Sequence, residues 1–210
     1  MSATGLPDES MLAAFLLASL LLGLSPGPDM LLVLHHAIRH GTRAGFEALA
    51  GIATGALVHL AVASFGAGLL LARIEGGTQI LRIGGGLFLL WLALKAFRSD
   101  APRLEEETAA ARRPLAIYRE GVLTNLLNPK VALFLLAFLP PFVPEDSPAP
   151  VAVTALLGIL FFLTGFSVMA ILAVFAGKVR RLLEGRPAFF VWQARASGAL
   201  FAVFGLALLI

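Results

Sequence analysis

Two short segments place backbone breakers beside a charge inside otherwise apolar sequence: Ser25-Pro26-Gly27-Pro28-Asp29 and Asn128-Pro129-Lys130. Proline has no N–H and obstructs the carbonyl four residues before it, so each break frees polar backbone groups that a continuous helix would satisfy. In hydrocarbon such groups must face protein or a cavity, because no water reaches them. Asp29 and Lys130 add one charge of each sign, each at a cost of about 2.5–3.5 kcal/mol near the middle of a membrane helix. Charges, helix ends and freed carbonyls together can replace the hydration shell of a small polar solute. Matched Gly/Pro breaks of this kind point to the binding site of a transporter. A third candidate is His59, since histidine changes charge near neutral pH and can accept a proton.

The elements that must position these groups follow from composition. The chain has 210 residues, of which 59% are hydrophobic, and a mean hydropathy of +0.89. Soluble domains carry about 45–50% apolar residues, and a helix needs roughly 20 of them in a row to cross a bilayer. The pattern predicts an all-α polytopic membrane protein forming a single transporter domain over residues 1–210. Six spans are expected at Met11 to Ala37, Gly45 to Leu71, Thr78 to Phe97, Arg119 to Phe142, Val151 to Gly177 and Phe189 to Ile210. Met11 to Leu24 imitates a signal peptide, but Asp8 and Glu9 precede it and no Lys or Arg does. It therefore reads as the first part of a retained, interrupted helix. The charged stretch from Arg98 to Tyr118 reads as a solvated connection that includes a short surface helix or loop.

Charge then orients the spans. Lys and Arg crowd the first, third and fifth connections, whereas the other flanks hold Arg73 and Arg82. By the positive-inside rule those three connections are cytoplasmic and both termini lie outside. The net charge of +3 and the pI near 10 are thus explained by membrane orientation, with no nucleic-acid partner. The chain contains no cysteine, which removes disulfides, thiol catalysis and thiolate metal sites. His35, His36 and His40 lack a companion carboxylate motif, so they read as interfacial residues rather than metal ligands. No cofactor is expected.

A weak internal repeat strengthens the transporter reading. Arg82, Gly85, Leu87 and Phe88 recur in register as Arg195, Gly198, Leu200 and Phe201. Two three-helix halves, about 11–97 and 119–210, would then be inverted, with helices 1 and 4 broken at comparable places. Arg82 and Arg195 suit anchoring at the lipid headgroups, and Trp192 suits the interfacial belt. Glu47, Gly51, Gly55 and His59 recur at i+4, along one face of span 2 where small residues admit a close neighbour. His59 accordingly faces the bundle, either as a proton acceptor or as a packing histidine.

These motifs resemble the LysE family of amino-acid exporters, most closely its RhtB branch of homoserine, threonine and related exporters. The resemblance spans nearly the whole chain. It rests on Ser25-Pro26-Gly27-Pro28-Asp29, on Gly41-x-Arg43-Ala44-Gly45-Phe46 followed by Gly51, Gly55 and His59, on Asn125-x-x-Asn128-Pro129-Lys130, and on Arg195-x-x-Gly198-x-Leu200-Phe201. It implies an inner-membrane exporter of amino acids or close derivatives, driven by exchange for protons, in which a homodimer is open. Family members often carry Asn where this chain has Asp29, so the titratable group there departs from the common pattern.

An amino acid is a zwitterion, and Asp29 and Lys130 offer one counter-charge for each of its ends. In that reading Lys130 and the N–H groups of broken helix ends receive the carboxylate. Asp29 and freed carbonyls receive the ammonium, and Asn128 orients. Ser25, Pro26, Gly27, Pro28, Asp29, Asn128, Pro129 and Lys130 form the expected substrate site, with Asp29 and His59 as candidates for proton coupling. Asp29 and Lys130 could alternatively pair with each other to lock the halves. A channel or passive facilitator for a small polar solute is the rival function. An enzyme is not expected: Gly23-Leu24-Ser25-Pro26-Gly27 matches G-x-S-x-G, but Pro26 removes the N–H that an oxyanion would need.

Overall fold

The structure is a computed structural model, and it describes residues 7–73, 77–98, 113–144, 147–179 and 187–209. Among these, every regular element is helical. The helices are α1 Glu9–Leu24, α2 Pro28–His40, α3 Thr42–Arg73, α4 Gly77–Phe97, α5 Pro114–Leu126, α6 Pro129–Phe138, α7 Pro150–Val174 and α8 Pro187–Leu209, with a 3-10 turn at Pro140–Phe142. Thr42–Phe65 and Pro150–Val174 are each long and apolar enough to cross a membrane, and α1 with α2 forms a third such unit bent by 53°. The charged residues 99–112 lie outside the described part. Helix α5 begins at Pro114, before the expected start at Arg119, because a proline costs nothing at the first helical position, where its missing N–H would have no partner.

Local chemistry sets the ends. Asp8 caps α1 by accepting from the N–H of Met11 at 2.8 Å. Helix α1 stops at Ser25, whose N–H turns back to Leu22 at 3.0 Å, and Pro26 prevents continuation. Gly27 then caps α2 with Pro28 in its first turn. The second break repeats this construction: Asn128 caps α6, its side chain accepting from the N–H of Lys130 at 3.1 Å, with Pro129 in the first turn. Each break therefore reads cap, proline, charge. Between α2 and α3 the chain turns at Gly41, whose φ of 88° lies in the left-handed region that favours glycine.

Packing brings the breaks together. Helix α5 lies against α3 with almost no side chains between them: a Cβ on Gly51 would run into the Tyr118 carbonyl, and one on Gly121 into the Ala48 carbonyl. Contacts advance in step, Gly51 meeting Tyr118 and Gly55 meeting Asn125, so α3 and α5 run parallel. Helix α7 runs antiparallel to α3, since Gly45 meets Ala173 and Gly158 meets Leu60. Helices α4 and α8 are also antiparallel, joined where Gly86 and Gly205 approach each other's carbonyls and where Gly198 meets Ala93. A phenylalanine cluster fills the space at the α1 and α6 ends farthest from α2 and α5. Phe134 and Phe138 stack at 4.4 Å between centroids, and Phe15 lies 5.1 Å from Phe142.

The α3–α5 seam sets the first prediction. Gly51→Leu forces the two helices apart and should lower the melting temperature or membrane yield of the purified protein sharply, since overpacking typically costs about 1–3 kcal/mol. Gly84→Ala, at a position where a Cβ meets nothing within 4 Å, should melt like the parent. Equal behaviour of the two variants in a detergent thermal-shift measurement would contradict the seam.

Candidate solute site at the paired helix breaks

Asp29 is the second residue of α2, where the positive end of the helix dipole favours a carboxylate. It is buried, at 9% exposure, and its Oδ2 accepts from Asn125 Nδ2 at 2.7 Å. Lys130 occupies the same position on α6, and there its own helix end disfavours a cation. What holds it is the other break. Its Nζ donates to the Ser25 carbonyl at 3.1 Å, at the C-terminal and negative end of α1. Gly27 makes room, since a Cβ there would stand 3.4 Å from that Nζ. The Phe201 ring lies 6.0 Å from the same nitrogen.

The arrangement is crosswise. The aspartate of the first break is held by Asn125, one turn before the second, and the lysine of the second break by Ser25 of the first. Among the described residues the resolved ion pairs are His36 with Glu120 and Arg43 with Glu47, so Asp29 and Lys130 are not paired with each other. Between them lies a cavity of about 70 Å³, with Ser25, Gly27, Asp29, Asn125, Asn128 and Lys130 on one wall and Phe161, Phe162 and Phe166 of α7 on the other. A larger cavity of about 430 Å³ shares Ser25, Gly27, Asn128 and Lys130 and adds Pro26 and Pro28 with residues of α4 and α8. Lys130 stands at the junction of the two. Asp29 lines only the smaller one.

The polar inventory of the small cavity is unbalanced. Among the described residues Asp29 Oδ1 is a buried acceptor with no hydrogen-bond partner; Asn125 Oδ1 is unpaired too but lies against α3, where a Cβ on Gly55 would stand 2.9 Å from it. An unsatisfied buried polar group costs about 1–3 kcal/mol. A primary ammonium, with three N–H donors, would satisfy the Asp29 oxygen.

His59, half-buried on α3, approaches the same cluster from behind: its Nε2 lies 3.0 Å from the Asn125 carbonyl oxygen. A carbonyl can only accept, so Nε2 bears the hydrogen and Nδ1 is the nitrogen left to take a proton. Asn125 thus connects His59, through its backbone, to Asp29, through its side chain. The expected stripe on span 2 is present, with Gly51 and Gly55 against α5 and Glu47 bonded to Arg43 at 3.2 Å.

The structure brings together Ser25, Gly27, Asp29, Asn128 and Lys130, with Pro26 and Pro28 on the wall of the larger cavity and Pro129 as the starting residue of α6. Ser25 contributes its carbonyl. Asn125 belongs in this set and was not among the expected site residues, although its spacing of three from Asn128 places it on the face of α5 that leads into the break. His36 departs from the interfacial expectation: it is fully buried, and its Nε2 lies 3.2 Å from Glu120 of α5. Among the described residues no group of three His, Cys, Asp or Glu could hold a metal ion.

Comparison with known proteins identifies relatives of the chain. The homoserine/homoserine lactone efflux protein of Salmonella typhimurium is 30% identical over 193 residues, covering 91% of this chain and 92% of the relative. The threonine efflux protein of Escherichia coli K12 is 30% identical over 199 residues, covering 89% and 91%. The leucine efflux protein of Klebsiella pneumoniae is 27% identical over 173 residues, covering 82% of each chain. No solved structure matches the chain. The family model described as LysE type translocator matches residues 20–210, a stretch that takes in both breaks, His59 and Asn125. On that match the chain belongs to the LysE type translocator family, whose members are membrane transporters and not enzymes.

Proposed function

We propose that this protein exports amino acids or close derivatives from the cytoplasm, binding the zwitterion between the two helix breaks and exchanging it for protons. The observation that carries the reading is that Asp29 and Lys130 hold crosswise contacts to opposite breaks across one cavity instead of neutralising each other. The ammonium of the solute meets Asp29, which Asn125 holds in place, and its carboxylate meets Lys130 and the N–H groups at the start of α6. The names of the relatives, efflux proteins for homoserine, threonine and leucine, support an amino-acid substrate.

The same geometry supports proton exchange. A proton on Nδ1 of His59 places a cation behind Asn125, which weakens the hold of the cluster on an ammonium. Loss of that proton restores it. Opposite helix directions in the pairs α3 with α7 and α4 with α8 support two inverted halves that rock about the breaks. The phenylalanine cluster closes one side of the small cavity in the state described, while the larger cavity lies toward Lys95 and Arg98, the end of α4 that the charge rule assigns to the cytoplasm.

Cells loaded with individual dipeptides should release at least one amino acid faster with the protein than without, and saturably, which a channel would not do. Asp29→Asn and Lys130→Met should each reduce that release at least about tenfold in protein that reaches the membrane, since each removes the counter-charge for one end of the zwitterion. His59→Gln should reduce uphill export more than downhill exchange. Full release by either charge variant, or equal loss of both modes in His59→Gln, would contradict the respective role. For orientation, with both termini outside the bacterial inner membrane, a cysteine introduced at Ser147 should react with an impermeant external thiol reagent and one at Thr108 only after permeabilisation. External labelling of Thr108 in intact cells would reverse the assignment.

A further inference from the structure

The larger cavity carries a charge pattern that the zwitterion site does not need. Its wall includes Lys95 and Arg98 from the end of α4 together with Lys130, and among its described lining residues there is no carboxylate. Asp29, the acid of the site, opens only onto the smaller cavity. The aromatic surfaces nearby are occupied by the protein's own cations: Lys95 Nζ lies 4.9 Å from the centre of Trp91, and Lys130 Nζ 6.0 Å from that of Phe201. Among the described lining residues, a cationic solute group entering here would meet cations and no counter-charge.

The two volumes assign the parts of the solute. The cavity of about 70 Å³ beside Asp29 suits the ammonium and the α-carbon, and the side chain must then extend past Lys130 into the space of about 430 Å³. Resting on the reading above, we infer that Lys95 and Arg98 are specificity-determining residues that select amino acids with an anionic side chain and reject those with a cationic one. Each carries its charge on a long stem at an exposed position and can turn toward a carboxylate in the cavity. Arg98 can take such a group bidentately.

The test is competition for counterflow in proteoliposomes holding the purified full-length protein, with glutamate, glutamine and lysine as competitors of similar length. Glutamate should compete more strongly than glutamine, glutamine at least about tenfold more strongly than lysine, and added salt should compress the series. The double variant Lys95→Glu/Arg98→Glu should raise the lysine-to-glutamate ratio at least about tenfold. If that variant fails to reach the membrane, the order in the parent protein decides. Lysine competing as well as glutamine, or glutamate no better than glutamine, overturns the inference while leaving amino-acid export intact. Counterflow of no amino acid of any class overturns the export reading and this inference together.

Discussion

Backbone polar groups cannot be abandoned in hydrocarbon, and the rest of this structure follows from that constraint. Prolines interrupt two helices deep in the chain, and each interruption exposes carbonyls at one helix end and N–H groups at the next. The protein meets this demand with a crosswise exchange: Lys130 of the second break satisfies the Ser25 carbonyl of the first, and Asn125 beside the second satisfies Asp29 of the first. Neither break is complete alone. The same exchange holds the two charges on separate partners instead of on each other.

Glycine packing makes the exchange reachable. Because Gly51, Gly55 and Gly121 let α5 lie backbone-to-backbone on α3, Asn125 comes within hydrogen-bond distance of both Asp29 and His59. A bulkier seam would withdraw α5 by several ångströms and sever both bonds. Below the site, towards the ends of α2 and α5, His36 and Glu120 make a second contact between the same two helices. On the opposite side the phenylalanines of α1, α6 and α7 form a buried apolar cluster, so the polar cavity has one apolar wall and one charged wall.

Much of this was legible in the sequence because the signals are local. The two breaks, the cap–proline–charge order and the small-residue face of span 2 all lie within a few residues of one another, and the helix ends follow from proline and glycine chemistry. Long-range pairing was less legible. That Asp29 faces Asn125, 96 positions away, depends on how closely α3 and α5 pack, which no single segment encodes. His36 was read as interfacial because its neighbours are histidines near a helix end, and its carboxylate partner Glu120 lies 84 positions away on another helix. The early start of α5 was missed because the charges before it outweighed the proline that begins it.

In the proposed function both ends of a zwitterion are read at once, the ammonium at Asp29 and the carboxylate at Lys130. This is tested most directly by binding to the purified protein, comparing the amino acid that the efflux panel selects with its N-acetyl and its carboxamide derivatives. The parent amino acid should stabilise the protein against heat in a saturable manner, each singly blocked derivative should bind at least about tenfold more weakly, and Asp29→Asn should abolish the difference between the parent and the N-acetyl form. Derivatives that bind as tightly as the parent amino acid would contradict it.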